Sequence, residues 1–201
     1  MNVKTKKALQ SEETRRNLVR VARKLFESKG FAEASTEDVV RGAGVTRGAL
    51  YHQFRDKKAL FAAVVEELER EIVGRIGVAV AAKTDPWERL QAGYLAVLNA
   101  CTEPDVRQIL LLDAPSVLGV ERWRTVEADY GLGLLSRGLE AIMKAGRMKP
   151  LPVRAVAHLL LGAISEGALM IASAEDAGKA HREVASVLQR LLDGLENPHS
   201  K

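Results

Sequence analysis

Along all 201 residues the apolar positions recur every three or four places, and no run keeps a period of two. That spacing builds one-faced helices and leaves no material for a sheet, because no Asn-Gly or Asp-Gly pair separates two β-branched runs. The expected fold is all-α with about nine helices. From about Glu12 the residues Leu18, Val21, Ala22, Leu25 and Phe26 share a face, and Gly30 stops the helix. Ser35-Thr36 caps a second, short helix that ends at Gly42-Ala43-Gly44, and Thr46 opens a third that runs to about Phe54. Asp56 caps a long fourth helix carrying Leu60, Phe61, Val64, Leu68 and Ile72, which weakens near Gly74 and Gly77. Asp85-Pro86 opens a fifth with Leu90, Tyr94, Val97, Leu98 and Cys101 on one side. Pro104 opens another, closed before Pro115, and helical regions over about 117–144, 153–174 and 180–195 complete the chain.

Charge is divided unevenly along this framework. Residues 1–60 hold fourteen Lys and Arg against seven Asp and Glu, and the remaining residues hold sixteen against nineteen. A basic segment joined to a mildly acidic one implies two tasks, the first facing a polyanion, either nucleic acid or anionic lipid. The apolar runs 76–82 and 155–164 are shorter than a bilayer span, and 153–174 is taken as too short to cross, so no membrane partner is expected. The first sixteen residues lack the apolar core of a secretory signal, and Cys101 has no cysteine to pair with, so a cytoplasmic location is expected.

Residues 36–54, TEDVVRGAGVTRGALYHQF, set two short helices about a glycine-centred turn, the spacing of a helix-turn-helix. Leu50 and Phe54 are four apart and turn toward Val39, Val40, Leu25 and Phe26. Arg47 with Tyr51, and Gly48 with His52, then face outward. A guanidinium can pair with the O6 and N7 edge of guanine, Gly48 and Ala49 allow close approach to bases, and Tyr51 and His52 can donate to phosphates. The helix starts at Thr36 and at Asp56-Lys57 offer free amides to an anion.

The run Leu25-Phe26, Gly30-Phe31, Ser35-Thr36-Glu37-Asp38-Val39, Ala43-Gly44-Val45-Thr46, Gly48-Ala49-Leu50-Tyr51-His52-Gln53-Phe54 and Lys57-Lys58-Ala59-Leu60-Phe61 resembles the amino-terminal domain of TetR-type (TetR/AcrR-like) transcriptional regulators over about fifty residues. The resemblance implies a homodimer with a three-helix head and a larger helical body that dimerises and takes a small effector. By position it assigns Thr36, Thr46, Tyr51, His52 and Lys57 to phosphates and Arg47, Gly48 and Ala49 to bases. Gln53 stands where an aromatic is frequent, and Arg55-Asp56 where Pro-Ser or Lys-Ser is. The expected division is a DNA-binding domain over 1–56, with a basic arm over 1–10, and a body over 57–199, the fourth helix being shared. Lys4, Lys6 and Lys7 suit an arm in the minor groove or a solvated tail equally.

In the body, 153–174 is apolar on nearly every face and must be covered on several sides. Its small residues Gly167 and Ala168, with Leu160 and the final helix's Val184, Leu188 and Leu191, suggest a two-fold four-helix interface. Two subunits would also match a palindromic double-stranded DNA operator. Trp87, Tyr94, Leu98, Cys101, Trp123, Tyr130, Glu166 and Met170 are the candidate effector contacts, with Leu111, Val126, Met143 and His158 as further members. No cofactor or metal is expected, since HExxH, CxxC and Walker patterns are absent. Ala163-Ile-Ser-Glu-Gly167 resembles a nucleophile elbow, but such an elbow works at a strand-to-helix turn and this one lies within a helix. The reading is a ligand-responsive regulator that is not an enzyme, set against a protein that coats DNA without sequence preference or a helical hydrolase.

Overall fold

A computed structural model describes residues 3–197, with side chains described for 8–119 and 131–197. Among the described residues nine α-helices and one π-helical segment form, and no strand does. The helices are α1 (Val3–Glu33), α2 (Thr36–Ala43), α3 (Arg47–Gln53), α4 (Lys57–Ala81), α5 (Pro86–Ala100), α6 (Ala114–Leu118), α7 (Val120–Lys144), α8 (Val153–Ser173) and α9 (Ala177–Asp193), with the π-helical Val106–Asp113 between α5 and α6. Caps act where their residue types predict. Ser35 accepts from the Asp38 amide (3.0 Å), Thr46 from Ala49 (3.2 Å), Asp56 from Ala59 (2.6 Å), and Asp85 from Trp87 and Glu88 (3.0 Å each).

Several boundaries differ from the expected ones for local reasons. Helix α1 starts at Val3, because the Lys, Ala, Leu and Gln of its first turns favour helix as well as the residues after Glu12 do. The side chains of Lys4, Lys6 and Lys7 lie outside the described residues. Helix α4 continues through Gly74 and Gly77. The segment opened near Pro104 does not close before Pro115. Winding passes from the π-helical stretch straight into α6, whose first turn holds Pro115, a position where a missing N–H is harmless.

Packing divides the chain into two compact units, one made of the residues up to Glu69 with Pro104–Gly119, the other of Arg70–Glu103 with the residues from Val120 onward. The head expected over 1–56 is thus joined by the first half of α4 and by 104–119. Within this first unit Leu18, Ala22, Phe26, Val39, Leu50, Phe54, Leu60, Phe61, Val64 and Leu68 are buried. Phe61 meets Phe26 and Phe31 edge-on, with ring centroids 5.1 and 5.0 Å away. Gly42 is required by α1, since a Cβ there would lie 2.8 Å from a methyl of Val21.

Segment 104–119 is bound to α1 by polar contacts. Two N–H groups of Arg23 donate to one oxygen of Asp105 (2.9 and 2.7 Å), in a pair whose side chains are only 20% and 16% exposed. At Gly30 the backbone takes φ 73° and ψ 169°, interrupting α1, and the freed amide of Phe31 donates to Asp113 (2.7 Å).

In the second unit α8 packs against α5, α7 and α9. A Cβ on Gly167 would stand 2.6 Å from Val184, so the smallest residue of α8 lets α9 come close. Arg147, beyond the left-handed Gly146 (φ 73°), ties Asp85 (2.7 Å) to Glu196, and its carbonyl accepts from Asn197 (2.7 Å). The expectation that 153–174 is too short for a bilayer needs correction. Helix α8 is 21 residues long and strongly apolar, and at about 1.5 Å per residue it has the length to span. Helices α5, α7 and α9 cover part of it, and Leu159 and Met170 remain in solvent.

The aromatic trio dominates the first unit's core, so Phe61→Ala should lower stability by about 3–5 kcal/mol, read from urea unfolding followed by circular dichroism.

Candidate nucleic-acid interface

Helix α3 has seven residues, too few to persist alone, and the rest of the first unit holds it. Leu50 and Phe54 are buried beneath it, and Arg15 lies over the Phe54 ring at 4.7 Å. Gln53 donates to the hydroxyl (2.7 Å) and carbonyl (3.2 Å) of Ser11, fastening the end of α3 to α1. Asn17 donates to the Ala43 carbonyl (2.8 Å), closing α2, and Gly44 makes the turn in the left-handed region at φ 64°.

With its inner side anchored, α3 presents Arg47, Gly48, Tyr51 and His52 to solvent, with Thr46 exposed at its start and Ala49 half-buried. Thr36 is half-buried at the start of α2. Seven of the eight residues assigned to DNA, all but Lys57, thus lie on the two short helices or at their caps. A Cβ on Gly48 would meet only the Thr46 hydroxyl, at 3.9 Å, so the protein's own packing does not demand glycine there. Arg41, Arg55 and Lys58 add exposed positive charge nearby.

Lys57 behaves differently from its assignment to a phosphate. Its ammonium donates to the carbonyls of Ala34 (2.7 Å) and Ala32 (3.3 Å) and sits 4.4 Å from the centre of the Phe31 ring. These carbonyls follow the Gly30 interruption and need donors, which turns Lys57 inward. Sequence spacing places a lysine at the start of α4 and carries no information about that competing partner.

Two acidic residues of α2 also belong to the surface. Asp38 accepts from Lys29 (3.0 Å) and pairs with Arg41, and hydrogen bonds from Lys29 and Ser35 hold its carboxyl below the usual value. Glu37 stands 3.7 Å from the Arg47 guanidinium. Neither acid was a candidate, because their place in a first helical turn already accounts for them.

The candidates in the second unit fall into two groups. Trp87, Tyr94, Leu98 and Cys101 are buried along α5. The Tyr94 hydroxyl donates to Gln189 (2.6 Å), which donates to Asp193 (2.6 Å); burial first, and Asp193 second, push the phenol's pKa up. Glu166, Met170 and His158 are exposed on α8 and do not join that group. Trp123, Val126 and Tyr130 lie outside the residues with described side chains, Met143 is half-buried, and Leu111 is buried in the other unit. Of the proposed interface residues, Gly167, Ala168, Val184 and Leu188 are buried within the subunit, Leu160 is half-buried and Leu191 is exposed. Leu159 (76% exposed), Met170 (58%), Val187 (58%) and Leu191 (57%) are the large apolar residues that α8 and α9 leave in solvent.

Comparison with known proteins matches the same regions. The family described as bacterial regulatory proteins, tetR family, matches residues 18–64, and the tetracyclin repressor-like C-terminal domain matches 87–195. A TetR-family transcriptional regulator of Pectobacterium atrosepticum of known structure is 34% identical, with a TM-score of 0.84 over 94% of this chain and 96% of its own. The HTH-type transcriptional regulator AcrR of Shigella flexneri is 34% identical over 104 residues, 51% of this chain and 48% of AcrR. SrpR of Pseudomonas putida is 28% identical over 128 residues, 62% of this chain and 58% of SrpR. The matches thus span about half of these two curated relatives.

Because a Cβ on Gly48 meets only the Thr46 hydroxyl, and Leu50 and Phe54 anchor α3, Gly48→Leu should not lower the melting temperature, replacement of a helical glycine being favourable by up to about 1 kcal/mol. Binding to duplex DNA should fall at least tenfold as the new side chain holds the helix off the groove; unchanged binding in a mobility-shift titration would remove α3 from the interface.

Proposed function

The chain belongs to the TetR family of transcriptional regulators, and from that membership we propose that it is a ligand-responsive repressor which binds a palindromic operator as a homodimer and leaves it when a small effector binds. The observation that carries this reading is the two-sided α3, apolar and buried behind, with a guanidinium, bare backbone, a phenol and an imidazole in front. Arg47, Gly48 and Ala49 approach base edges, while Thr36, Thr46, Tyr51 and His52 bind phosphates. Lys57 contributes by fixing the start of α4. The work is done on DNA, in the cytoplasm.

One such helix covers a few base pairs, so two subunits are needed for a selective site. The exposed Leu159, Met170, Val187 and Leu191 supply the apolar face through which α8 and α9 meet their symmetry mates, and Gly167, Ala168, Val184 and Leu188 stiffen the pair from within. Effector binding is assigned to the interior of the second unit beside Trp87, Tyr94, Leu98 and Cys101, where Tyr94, Gln189 and Asp193 provide polar groups in apolar surroundings. Helix α4 is covalently part of both units, and a ligand that prefers one placement of α4 changes the separation of the two recognition helices. A 100-fold preference amounts to about 2.7 kcal/mol per site, enough to empty an operator when both subunits respond.

Selection of bound sites from random duplexes tests the reading. A two-fold motif with half-sites about one helical turn or a multiple apart is expected, and uniform binding to all sequences at the same salt would replace it with non-selective coating of DNA. Leu191→Arg should convert the dimer to monomer in sedimentation and weaken operator binding by about 100-fold or more, since a charge buried in an apolar interface is costly.

A further inference from the structure

Glu37 places a carboxylate on a surface meant for a polyanion, which calls for a physical reason. Its side chain is part of a string that runs from α2 to α3. The Thr36 hydroxyl donates to Glu37 (3.1 Å), the other carboxylate oxygen faces an Arg47 nitrogen at 3.7 Å, and the guanidinium carbon of Arg47 lies 5.6 Å from the centre of the Tyr51 ring. Its neighbour Asp38 is engaged with Lys29 and Arg41 instead. The amide of Glu37 itself, then the Thr36 hydroxyl, and Arg47 more weakly, hold the Glu37 carboxyl below its usual range.

We propose that Glu37 is a specificity-determining positioning residue that acts through Arg47, holding the guanidinium between its carboxylate and the Tyr51 ring so that only a base edge able to take the planar fork displaces it. This rests on Arg47 being the base-contacting residue. An unrestrained arginine at a DNA surface pairs with any phosphate, and that gain is blind to sequence. The Glu37 carboxylate competes for those N–H groups and repels a phosphate that approaches them. A guanine edge offers two acceptors in the plane of the fork, and a guanidinium already oriented loses little freedom on pairing. Both effects weaken binding to random sequence more than binding to the preferred site.

The test compares wild-type protein with Glu37→Gln, Glu37→Asp, Arg47→Ala and the Glu37→Gln/Arg47→Ala double variant. Each is titrated against the operator recovered by site selection, its single-base variants and a random duplex, with melting temperatures alongside. Glu37→Gln should raise affinity for the random duplex by about two- to fivefold per subunit, the scale of one exposed ion pair. It should narrow the preference at the base pair that Arg47→Ala flattens, and leave preferences elsewhere intact. Glu37→Asp keeps the charge but lacks the reach, so it should narrow that preference with little change on random DNA. In the Arg47→Ala background Glu37→Gln should change no base preference further. An unchanged preference at that base pair in Glu37→Gln overturns the proposal, as does a uniform loss on all duplexes accompanied by a lower melting temperature. If Arg47→Ala itself leaves every base preference intact, the assignment of Arg47 to bases fails instead, a separate result.

Discussion

The left-handed turn at Gly30 decides how the first unit is put together. Had α1 continued, Phe31 could not swing toward Phe26 and Phe61, and the amide and carbonyl groups around it would be satisfied within the helix. The interruption leaves a donor at Phe31 and acceptors at Ala32 and Ala34. Asp113 takes the first and Lys57 supplies the others, so the end of α1, the start of α4 and the segment before α6 are joined at one point. A side chain at residue 30 would be strained by a φ of 73° and would meet Gln108 at 3.3 Å. The φ is what selects glycine, since the Gln108 amide is the far end of a flexible side chain and can give way. The pairing of Arg23 with Asp105 is a second tie between α1 and the segment before α6.

Much of this head was legible because its determinants are local. Capping by Ser35, Thr46 and Asp56 depends on residues within three positions, and the inward turn of Leu50 and Phe54 follows from helical period alone. What escaped the sequence were choices of partner across long separations. Lys57 turns to carbonyls more than twenty residues upstream, and Glu37 finds an arginine on the next helix. Winding of 106–113 was hidden for another reason. Apolar spacing over eight residues does not separate a π-turn from an α-turn, and Pro115 looked like a terminator when it was the opening of a new helix.

The body shows the same limit in another form. Apolar residues on every side of 153–174 announce that α8 must be covered, without saying by what. Gly167 and Val184 turn out to face each other within one chain, which explains the glycine by the approach of α9. The large apolar residues that stay in solvent are elsewhere on the two helices, at Leu159, Met170, Val187 and Leu191. On α5 the buried Tyr94 needs a hydrogen-bond partner, and finds it in Gln189, ninety-five residues away. No periodicity in either helix predicts that pairing.

The division of labour across α3 has an evolutionary side. Leu50 and Phe54 hold the helix without help from Arg47, Gly48, Tyr51 or His52, none of which is buried. If α3 reads bases as proposed, exchanging those outward residues one at a time would give a gene duplicate a new genomic address while the scaffold stays intact. Drift on the inner side has no such freedom, because a seven-residue helix that loses its footing has nothing else to keep its shape.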